Sequence, residues 1–399
     1  MDWEQFLFAY HYDSNGLIPT LVAIEANKEA ALNLLLPPPW REQLDRLNRI
    51  RAVYGTTALE GNPLSEAEVS KQLEILDQQG EQALQAPKLS REQIQILNSS
   101  MAQAWVKNRF RPGKGPLQVS DVLEIHRMVT NLSDMKDNLP GKFRTFDVTV
   151  GSPEAGGVHK GAPHARVPAF MNGFVDFINS RKMMEAEHPV IRALLAHFFL
   201  VTIHPFGDGN GRVSRLVEAA ILFQNGYNVH GFYGLSNYFY RHELEYKTSL
   251  QRCCAQIPFD VTGILRFGLD GFAQELRGIN NFVKTKLNRV VYREMLVRSF
   301  NTRIGPRRRL LNQRECNLLQ VLITATEPTD PFSSLSSRKI SFSELISSDY
   351  VKGAYRKVTR RTFHRELARL SQSGFIKFIR GETVEDWIVE LDFSAIERY

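Results

Sequence analysis

One stretch of this 399-residue chain gathers side chains that do chemistry: His204-Pro205-Phe206-Gly207-Asp208-Gly209-Asn210-Gly211-Arg212-Val213-Ser214-Arg215. His204 is the one group in it whose unperturbed pKa suits general-base work near neutrality. Asp208 is a hard oxygen ligand, suited to a magnesium ion that keeps several waters and bridges phosphate oxygens. Gly209, Asn210 and Gly211 can offer backbone N–H groups and a side-chain amide to an anion, because glycine tolerates the positive φ such a nest needs. Arg212 and Arg215 lie three apart, on one helix face, where guanidinium forks can grip outer phosphates. Phe206 is expected to pack inward and fix the loop. The task these parts suit is holding a magnesium–triphosphate and moving a piece of it, with Asp208 through Arg215, Val213 and Ser214 included, as the phosphate-binding run. It is not a Walker A loop, since the Gly-Lys-Ser/Thr ending is missing.

Two helices must carry this run. His188-Pro189 opens a segment through Ile191, Leu194, Leu195, Phe198, Phe199 and Val201 that is apolar nearly all round, which predicts a central buried helix ending at His204. Arg212 to Phe223 has Val213, Leu216, Val217, Ala220 and Ile221 at helical spacing, so the nest falls at a helix N-terminus, where partial positive charge favours phosphate. Further out, residues 1 to about 100 read as helical. Trp40 to Ala58 carries Leu44, Leu47, Ile50 and Tyr54 at helical intervals, with Gly61 and Pro63 as a stop. Leu36-Pro37-Pro38-Pro39-Trp40 reads as a rigid lead-in to it. Ser65-x-x-Glu68 and Ser90-x-x-Gln93 read as capping boxes. A helix is expected over Val119 to Leu132. From Gly141 to Pro168 the pattern changes: Phe143, Thr145, Val148 and Val150 alternate with polar residues ahead of the turn-rich Gly151-Ser152-Pro153-Glu154-Ala155-Gly156-Gly157, which predicts a β-hairpin. Helices resume from Ala169 to about Gly278.

The run from His204 to Arg215 resembles the motif of the Fic family, His-x-Phe-x-Asp/Glu-Gly-Asn-Gly-Arg-x-x-Arg, in His204, Phe206, Asp208, Gly209, Asn210, Gly211, Arg212 and Arg215. The resemblance implies a mainly α fold, a Fic-type helical bundle over about residues 101–278. It implies transfer of AMP from ATP to a hydroxyl side chain of a protein, or of the enzyme itself, with magnesium accompanying the ATP. The hairpin, 141–168, would be the family's flap, holding the target by strand pairing around Val148, Val150 and Gly151. Thr56-Thr57-Ala58-Leu59-Glu60-Gly61 matches the family's inhibitory pattern Ser/Thr-x-x-x-Glu-Gly/Asn. That implies an inhibitory helix over about 41–61, with Thr56 and Glu60 on one face and Glu60 pairing with Arg215, so that Arg215 cannot grip the γ-phosphate. An aromatic some thirty residues past the motif borders the adenine in relatives, which points to Tyr246, near Asn237, Tyr238 and Leu250. Kinase-like relatives carry lysine where this chain has Arg212, so phosphorylation is disfavoured. Another nucleotide, or the reverse reaction in which the glutamate positions a water to remove AMP, stays open.

The C-terminal segment has its own pattern. Phe282 to Arg303 is basic and amphipathic, read as a helical linker over 279–305, and Arg307-Arg308-Arg309 marks a boundary. Helices are expected over Cys316 to Ile323, Ser341 to Ile346 and Val358 to Leu370, then strands over Phe375 to Ile379 and Trp387 to Leu391. This order over 306–399 resembles a winged helix-turn-helix. Arg360, Arg361 and Arg365, with Thr359, would line the exposed face of a recognition helix able to meet DNA phosphates or guanine edges. Packing of a homodimer, or docking of a target, is the other use of such a domain. A DNA-binding regulator whose core only senses nucleotide is thus the competing reading, and the intact His204 argues against it.

Composition sets the outer limits. Hydrophobic content of 43% and charged content of 23% fit a globular chain. The longest apolar run, Ala193 to Ile203, is too short to span a membrane, and Met1-Asp2-Trp3-Glu4-Gln5 lacks a signal-peptide pattern. Cys253, Cys254 and Cys316 form no metal-spaced set and no even framework, which suggests a reducing cytoplasm. The net charge of +7 is compatible with nucleotide or an acidic partner.

Overall fold

A computed structural model describes residues 3–34, 36–86, 89–132, 138–153, 157–227, 234–253, 257–306, 308–328 and 339–399. Its contacts divide the chain into two units, Met1–Leu276 and Arg277–Tyr399.

In the first unit the short strand β1 (Tyr10–His11) precedes α1 (Ile18–Leu32) and α2 (Pro38–Ala58). The proline run starts α2: Pro37 is its N-cap and the next prolines occupy the first turn, where a missing N–H costs nothing. The helix stops at Ala58, and Gly61, at φ +82°, turns the chain away. Both capping boxes form, Ser65 with Glu68 at the start of α3 (Glu66–Gln79) and Ser90 with Gln93 at the start of α4 (Arg91–Arg109). After α5 (Val119–Val129) comes an antiparallel hairpin of β2 (Thr149–Ser152) and β3 (Gly157–Lys160), with Val150 opposite His159 and Gly151 opposite Val158. Its predicted turn residues Glu154, Ala155 and Gly156 lie outside the described residues.

The hairpin is shorter than its alternation suggested. The strand expected from Phe143 begins only at Thr149, because Phe143 turns inward to stack on Phe206 with ring centroids 5.7 Å apart. Val148 sits just ahead of the strand and accepts the Gly161 N–H at 3.1 Å. Then follow α6 (Val167–Ile178), α7 (Pro189–Ile203), α8 (Asn210–Gln224), α9 (Ser236–Arg241), α10 (Glu243–Cys253) and β4 (Phe259–Asp260), which pairs in parallel with β1.

Residues 3–12 correct the expectation of a helical N-terminus. They form an extended aromatic strap, since Trp3, Phe6, Phe8 and Tyr10 gain more from burial against α6 and α7 than helix periodicity would give them. Phe199 of α7 lies at the centre, with ring centroids at 5.3 Å from Phe8, 5.2 Å from Phe177 and 5.8 Å from Phe259. α7 itself is buried nearly all round, as its composition predicted.

Helix α11 (Thr262–Asn301) continues past Leu276 into the second unit. The segment read as a linker, 279–305, is mostly this helix, and its Tyr292, Met295 and Leu296 are built into the second unit's core. Next come β5 (Arg303–Gly305), β6 (Arg308–Arg309), α12 (Gln313–Ala325), β7 (Ile340–Ser341), α13 (Phe342–Ser347), α14 (Asp349–Ala354), α15 (Arg360–Gln372), β8 (Ile376–Ile379), β9 (Ile388–Leu391) and α16 (Ala395–Arg398). Arg308 and Arg309, expected in a solvated boundary, form a strand paired with β5, and Arg307 lies outside the described residues. Strands β7, β9 and β8 form one antiparallel sheet in that order. No described helix is long and apolar enough to cross a membrane.

Replacing Phe199 by alanine removes the ring on which the strap and α6 converge. The expected loss is about 3–5 kcal/mol for a buried phenylalanine, read as a fall in the denaturation midpoint of the N-terminal unit. An unchanged midpoint would show that the strap does not depend on it.

Candidate functional site

The turn between α7 and α8 is closed by its own side chains. Asn210 accepts the Phe206 N–H at its Oδ1 (3.0 Å) and donates from Nδ2 to the Phe206 carbonyl (2.8 Å). Its amide, expected to face phosphate, is therefore spent inside the loop. Phe206 is fully buried and stacks on His126 at 3.7 Å between centroids. His126 accepts the Gly141 N–H at Nδ1 (3.0 Å), so the proton sits on Nε2, which donates to the Asp208 carbonyl at 3.2 Å. Burial pulls its pKa down to about 4. Asp208 receives a further hold, its N–H donating to Asn138 Oδ1 at 3.1 Å. Gly209 takes φ +80°, which a residue with a Cβ would resist.

His204 ends α7 in the left-handed region, φ +54° and ψ +60°. Its Nδ1 lies 3.2 Å from the Val201 carbonyl, which can only accept, so Nδ1 carries the proton and Nε2 keeps its lone pair. Burial, then the positive surroundings of His159 and Arg144, outweigh the Val201 bond and hold its pKa at about 4. At neutral pH the imidazole is thus an uncharged acceptor.

The two arginines divide their work. Arg212 donates to the Val129 carbonyl (3.1 Å) and to Asp208 Oδ2 (3.0 Å). Arg215 donates from Nε to Thr56 Oγ1 (2.7 Å), and from Nη2 to the Thr56 carbonyl (3.1 Å) and to Glu60 Oε1 (2.6 Å). Arg215 is buried, whereas the Glu60 side chain keeps 28% exposure. Burial would raise the Glu60 pKa, but the charges of Arg215 and Arg212 prevail and hold the carboxyl below its usual range. Thr56 and Glu60 do not share a helix face as expected. Thr56 is in α2 and Glu60 in the turn after it, yet the pairing with Arg215 forms. Gly211 makes room: a Cβ there would collide with the Glu60 carboxylate and crowd Arg215.

A cavity of about 500 Å³ collects Glu60, His204, Gly211, Arg215, Tyr246, Val150 and Gly151. Tyr246 meets it with a ring stacked on Phe239 (4.6 Å), while its hydroxyl lies 2.8 Å from His197 Nε2, whose Nδ1 is 2.7 Å from Glu218. Burial raises the Tyr246 pKa to about 12. Leu250 lines the same space, but Asn237 and Tyr238 do not, Tyr238 being packed on Phe267. Val213 and Ser214 are buried in α8, and the Ser214 hydroxyl donates to the Gly211 carbonyl at 2.9 Å. Asp208 and Arg212 border a separate small recess with Asn98 and Thr130. Sequence reading missed His126, His159, Asn138 and Arg144, which stand far from the motif in the chain, and His197, which lies buried in α7 just ahead of it. In the second unit Arg360, Arg361 and Arg365 are exposed, and none is in an ion pair among the described residues.

A left-handed turn thus ends one buried helix and leads into another, beside an arginine paired with a carboxylate. Residues 116–222 match the Fic/DOC family. Protein adenylyltransferase Fic of Aedes aegypti is 33% identical over 178 residues, 45% of this chain and 33% of that protein. Its counterpart from Drosophila willistoni is 34% identical over 175 residues, 44% of this chain and 32% of that one. The chain spans about a third of the length of these curated relatives. Two solved structures share the fold. A Fic family protein from Desulfovibrio desulfuricans G20 has TM-score 0.52 and 19% identity, over 94% of this chain and 96% of that one. A fragment of Fic-1 from C. elegans has TM-score 0.52 and 24% identity, over 66% of this chain and 72% of that one.

His126 and His204, near 4 when folded, return to about 6.5 when unfolded. Between those values the unfolded chain binds more protons, so stability is complete above about pH 6.5 and is lost as pH falls through about 4. Urea midpoints measured from pH 7 to 4.5 should therefore decline, and His126→Gln should lessen the slope. A flat profile in the parent chain would show that these histidines titrate normally.

Proposed function

We propose that this chain is a protein adenylyltransferase, moving AMP from ATP to a serine, threonine or tyrosine hydroxyl of a target protein or of itself. The observation that carries it is His204: a neutral imidazole with Nδ1 tied down, lining the cavity that also holds Gly211 and Arg215. The target oxygen attacks the α-phosphorus and its proton passes to His204 Nε2. The bond from the α-phosphorus to the bridging oxygen breaks, and pyrophosphate leaves. The N-terminal end of α8 and Arg215 offset the charge on the phosphates. Asp208, a carboxylate with 24% exposure beside Arg212, is the residue that would hold a magnesium ion; bound there, the ion would neutralise phosphate charge. Tyr246 and Leu250 would flank the base. On the flap, the Lys160 carbonyl of β3 already accepts the Trp3 indole N–H at 3.2 Å, so β2, with Val150 and Gly151, is the edge left to pair with a target strand. The names of the curated relatives support the same reading. Two buried free thiols, Cys253 and Cys316, suit a cytoplasmic setting.

Glu60 acts as a brake on this reading, because an arginine held by a carboxylate is withheld from the γ-phosphate. Its exposure into the cavity also supports a second reading, in which Glu60 directs water at an AMP-modified side chain. Labelled ATP and calorimetry test both. Glu60→Gly should bind ATP about tenfold more tightly, equivalent to about 1.4 kcal/mol, and the gain should vanish when Arg215→Ala is added. His204→Ala in that background should lose transfer by at least about 100-fold while ATP affinity changes little. Transfer at the parent rate would remove His204 as the base, and unchanged affinity in Glu60→Gly would remove the brake.

We further propose that the second unit is a winged helix that meets DNA through α15. Arg360, Arg361 and Arg365, exposed and in no ion pair among the described residues, favour this. A triple alanine variant of the full chain should lose its mobility shift of duplex DNA, and the parent's affinity should fall steeply with salt. No shift by the parent at low salt would refute it.

A further inference from the structure

Arg144 has a buried charge with an unusual set of partners. Its side chain has 0% exposure, and the nearest carboxylate, Asp147, stands 3.8 Å away at the surface. The guanidinium donates instead to carbonyls: Nε to His204 (2.7 Å), Nη1 to Phe146 (2.6 Å) and Nη2 to Ala162. Its own backbone N–H donates to the Pro205 carbonyl at 3.0 Å. Taking a cation out of water costs several kcal/mol, and burial draws this guanidinium's pKa down. The C-terminal end of α7, whose carbonyls carry partial negative charge, offsets part of that cost. The three carbonyls come from the chain entering the hairpin, the chain leaving it, and the left-handed turn at His204.

The leaving strand is fastened along the same helix end. His159 Nε2 donates to the Thr202 carbonyl at 2.7 Å, and the Ala162 N–H to the Ile203 carbonyl at 3.0 Å. With Arg144 on His204, three successive carbonyls of the last turn are bound from the hairpin side. Gly161 allows the approach, since a Cβ there would stand 2.9 Å from Val148 Cγ2, 3.0 Å from Arg144 Nη2 and 3.2 Å from His204 Cβ.

We propose that Arg144 is a positioning residue for the transfer step, fixing the left-handed turn that aims His204 and locking the base of the β2–β3 hairpin to it, so that base and target-holding strand form one rigid piece. This rests on the adenylyltransferase reading. Arg144 touches no reacting atom; it acts through His204. The groups that bear on the His204 imidazole are Arg144 and His159, both disfavouring its protonation, and Glu60, favouring it, on top of burial as the largest influence. Removing the Arg144 charge therefore raises the His204 pKa.

The test uses the full chain in the Glu60→Gly background with labelled ATP. Arg144→Met removes charge and fork, and Arg144→Lys keeps the charge but cannot reach three diverging carbonyls. Both should lower kcat at least tenfold while ATP affinity stays within about twofold. Imidazole NMR titration should show His204 moving up from about 4 in Arg144→Met and staying near the parent value in Arg144→Lys. A residue that only stabilises the fold would lower the thermal midpoint and leave kcat and the His204 titration of folded protein at parent values, and that result would overturn the proposal. Should Arg144→Met fail to fold, an unaltered kcat in Arg144→Lys overturns it alone. If the Glu60→Gly parent transfers no nucleotide, the adenylyltransferase reading falls by itself, and the NMR titration still decides whether Arg144 governs His204.

Discussion

Two hydrogen bonds between the Asn210 amide and the backbone of Phe206 shape the rest of the site. They close the turn so tightly that α8 begins within seven residues of the end of α7. His204, at one end of the turn, and Arg215, further along α8, then open onto the same cavity. A side chain can do this only at a position where backbone N–H and C=O of one residue face it together, and an apolar Phe206 pinned under His126 supplies that residue. Leaving the buried N–H and carbonyl unpaired would cost about 1–3 kcal/mol each. The motif's asparagine is thus a folding device first.

Charge in this region is arranged by the same economy. Arg212, Arg215 and Arg144 are all buried, and each has its donors directed at named oxygens. One donor does lack a partner among the described residues, the Arg212 Nε. A buried ion pair is weak support for stability but costs about 3–5 kcal/mol to break when one partner is simply removed. Exchange differs from removal: on the proposed reading, phosphate oxygens would take the place of the Glu60 carboxylate and Arg215 would stay paired. The energy separating the two arrangements is therefore a small difference between large terms, which is what a reversible brake needs.

Much of this was legible in the sequence because the informative signals are local. The capping boxes at Ser65 and Ser90, the proline start of α2 and the apolar circumference of α7 each depend on neighbours within a turn, and each appears where expected. The pairing of Glu60 with Arg215 was also expected, although a resemblance pointed to it and no periodicity could have. Long-range choices were not legible. Residues 3–12 favour a strap because aromatic rings on α6 and α7 await them, and nothing in the segment itself says so. Phe143 alternates like a strand residue but is claimed by Phe206. His126, Arg144 and Asn138 stand among ordinary helix or loop residues, and only the folded chain shows that they hold the backbone of the motif. Asn210 shows a subtler limit: its type was read correctly as polar and constrained, but whether its amide faces a ligand or its own loop is a matter of one side-chain torsion.

If Glu60 is the proposed brake, its release depends on where its two parts sit. Thr56 gives Arg215 two of its three short hydrogen bonds, one from its hydroxyl and one from its carbonyl, and lies within α2. Glu60 gives the third from a turn beyond the helix, where Gly61 at φ +82° reverses the chain and a Cβ would meet nothing. Helix and turn are both held by backbone hydrogen bonds, the turn by the Glu60 N–H to the Thr57 carbonyl (3.0 Å) and the Gly61 N–H to the Ala58 carbonyl (2.9 Å), so the Glu60 side chain, with 28% exposure, is the part left to rotate. Arg215 is thus held by Thr56 of α2 through both Nε and Nη2, and by the Glu60 carboxylate through Nη2. On the proposed reading, displacing Glu60 requires no unfolding of α2, and the two Thr56 contacts would keep Arg215 in place for the phosphate that replaces the glutamate.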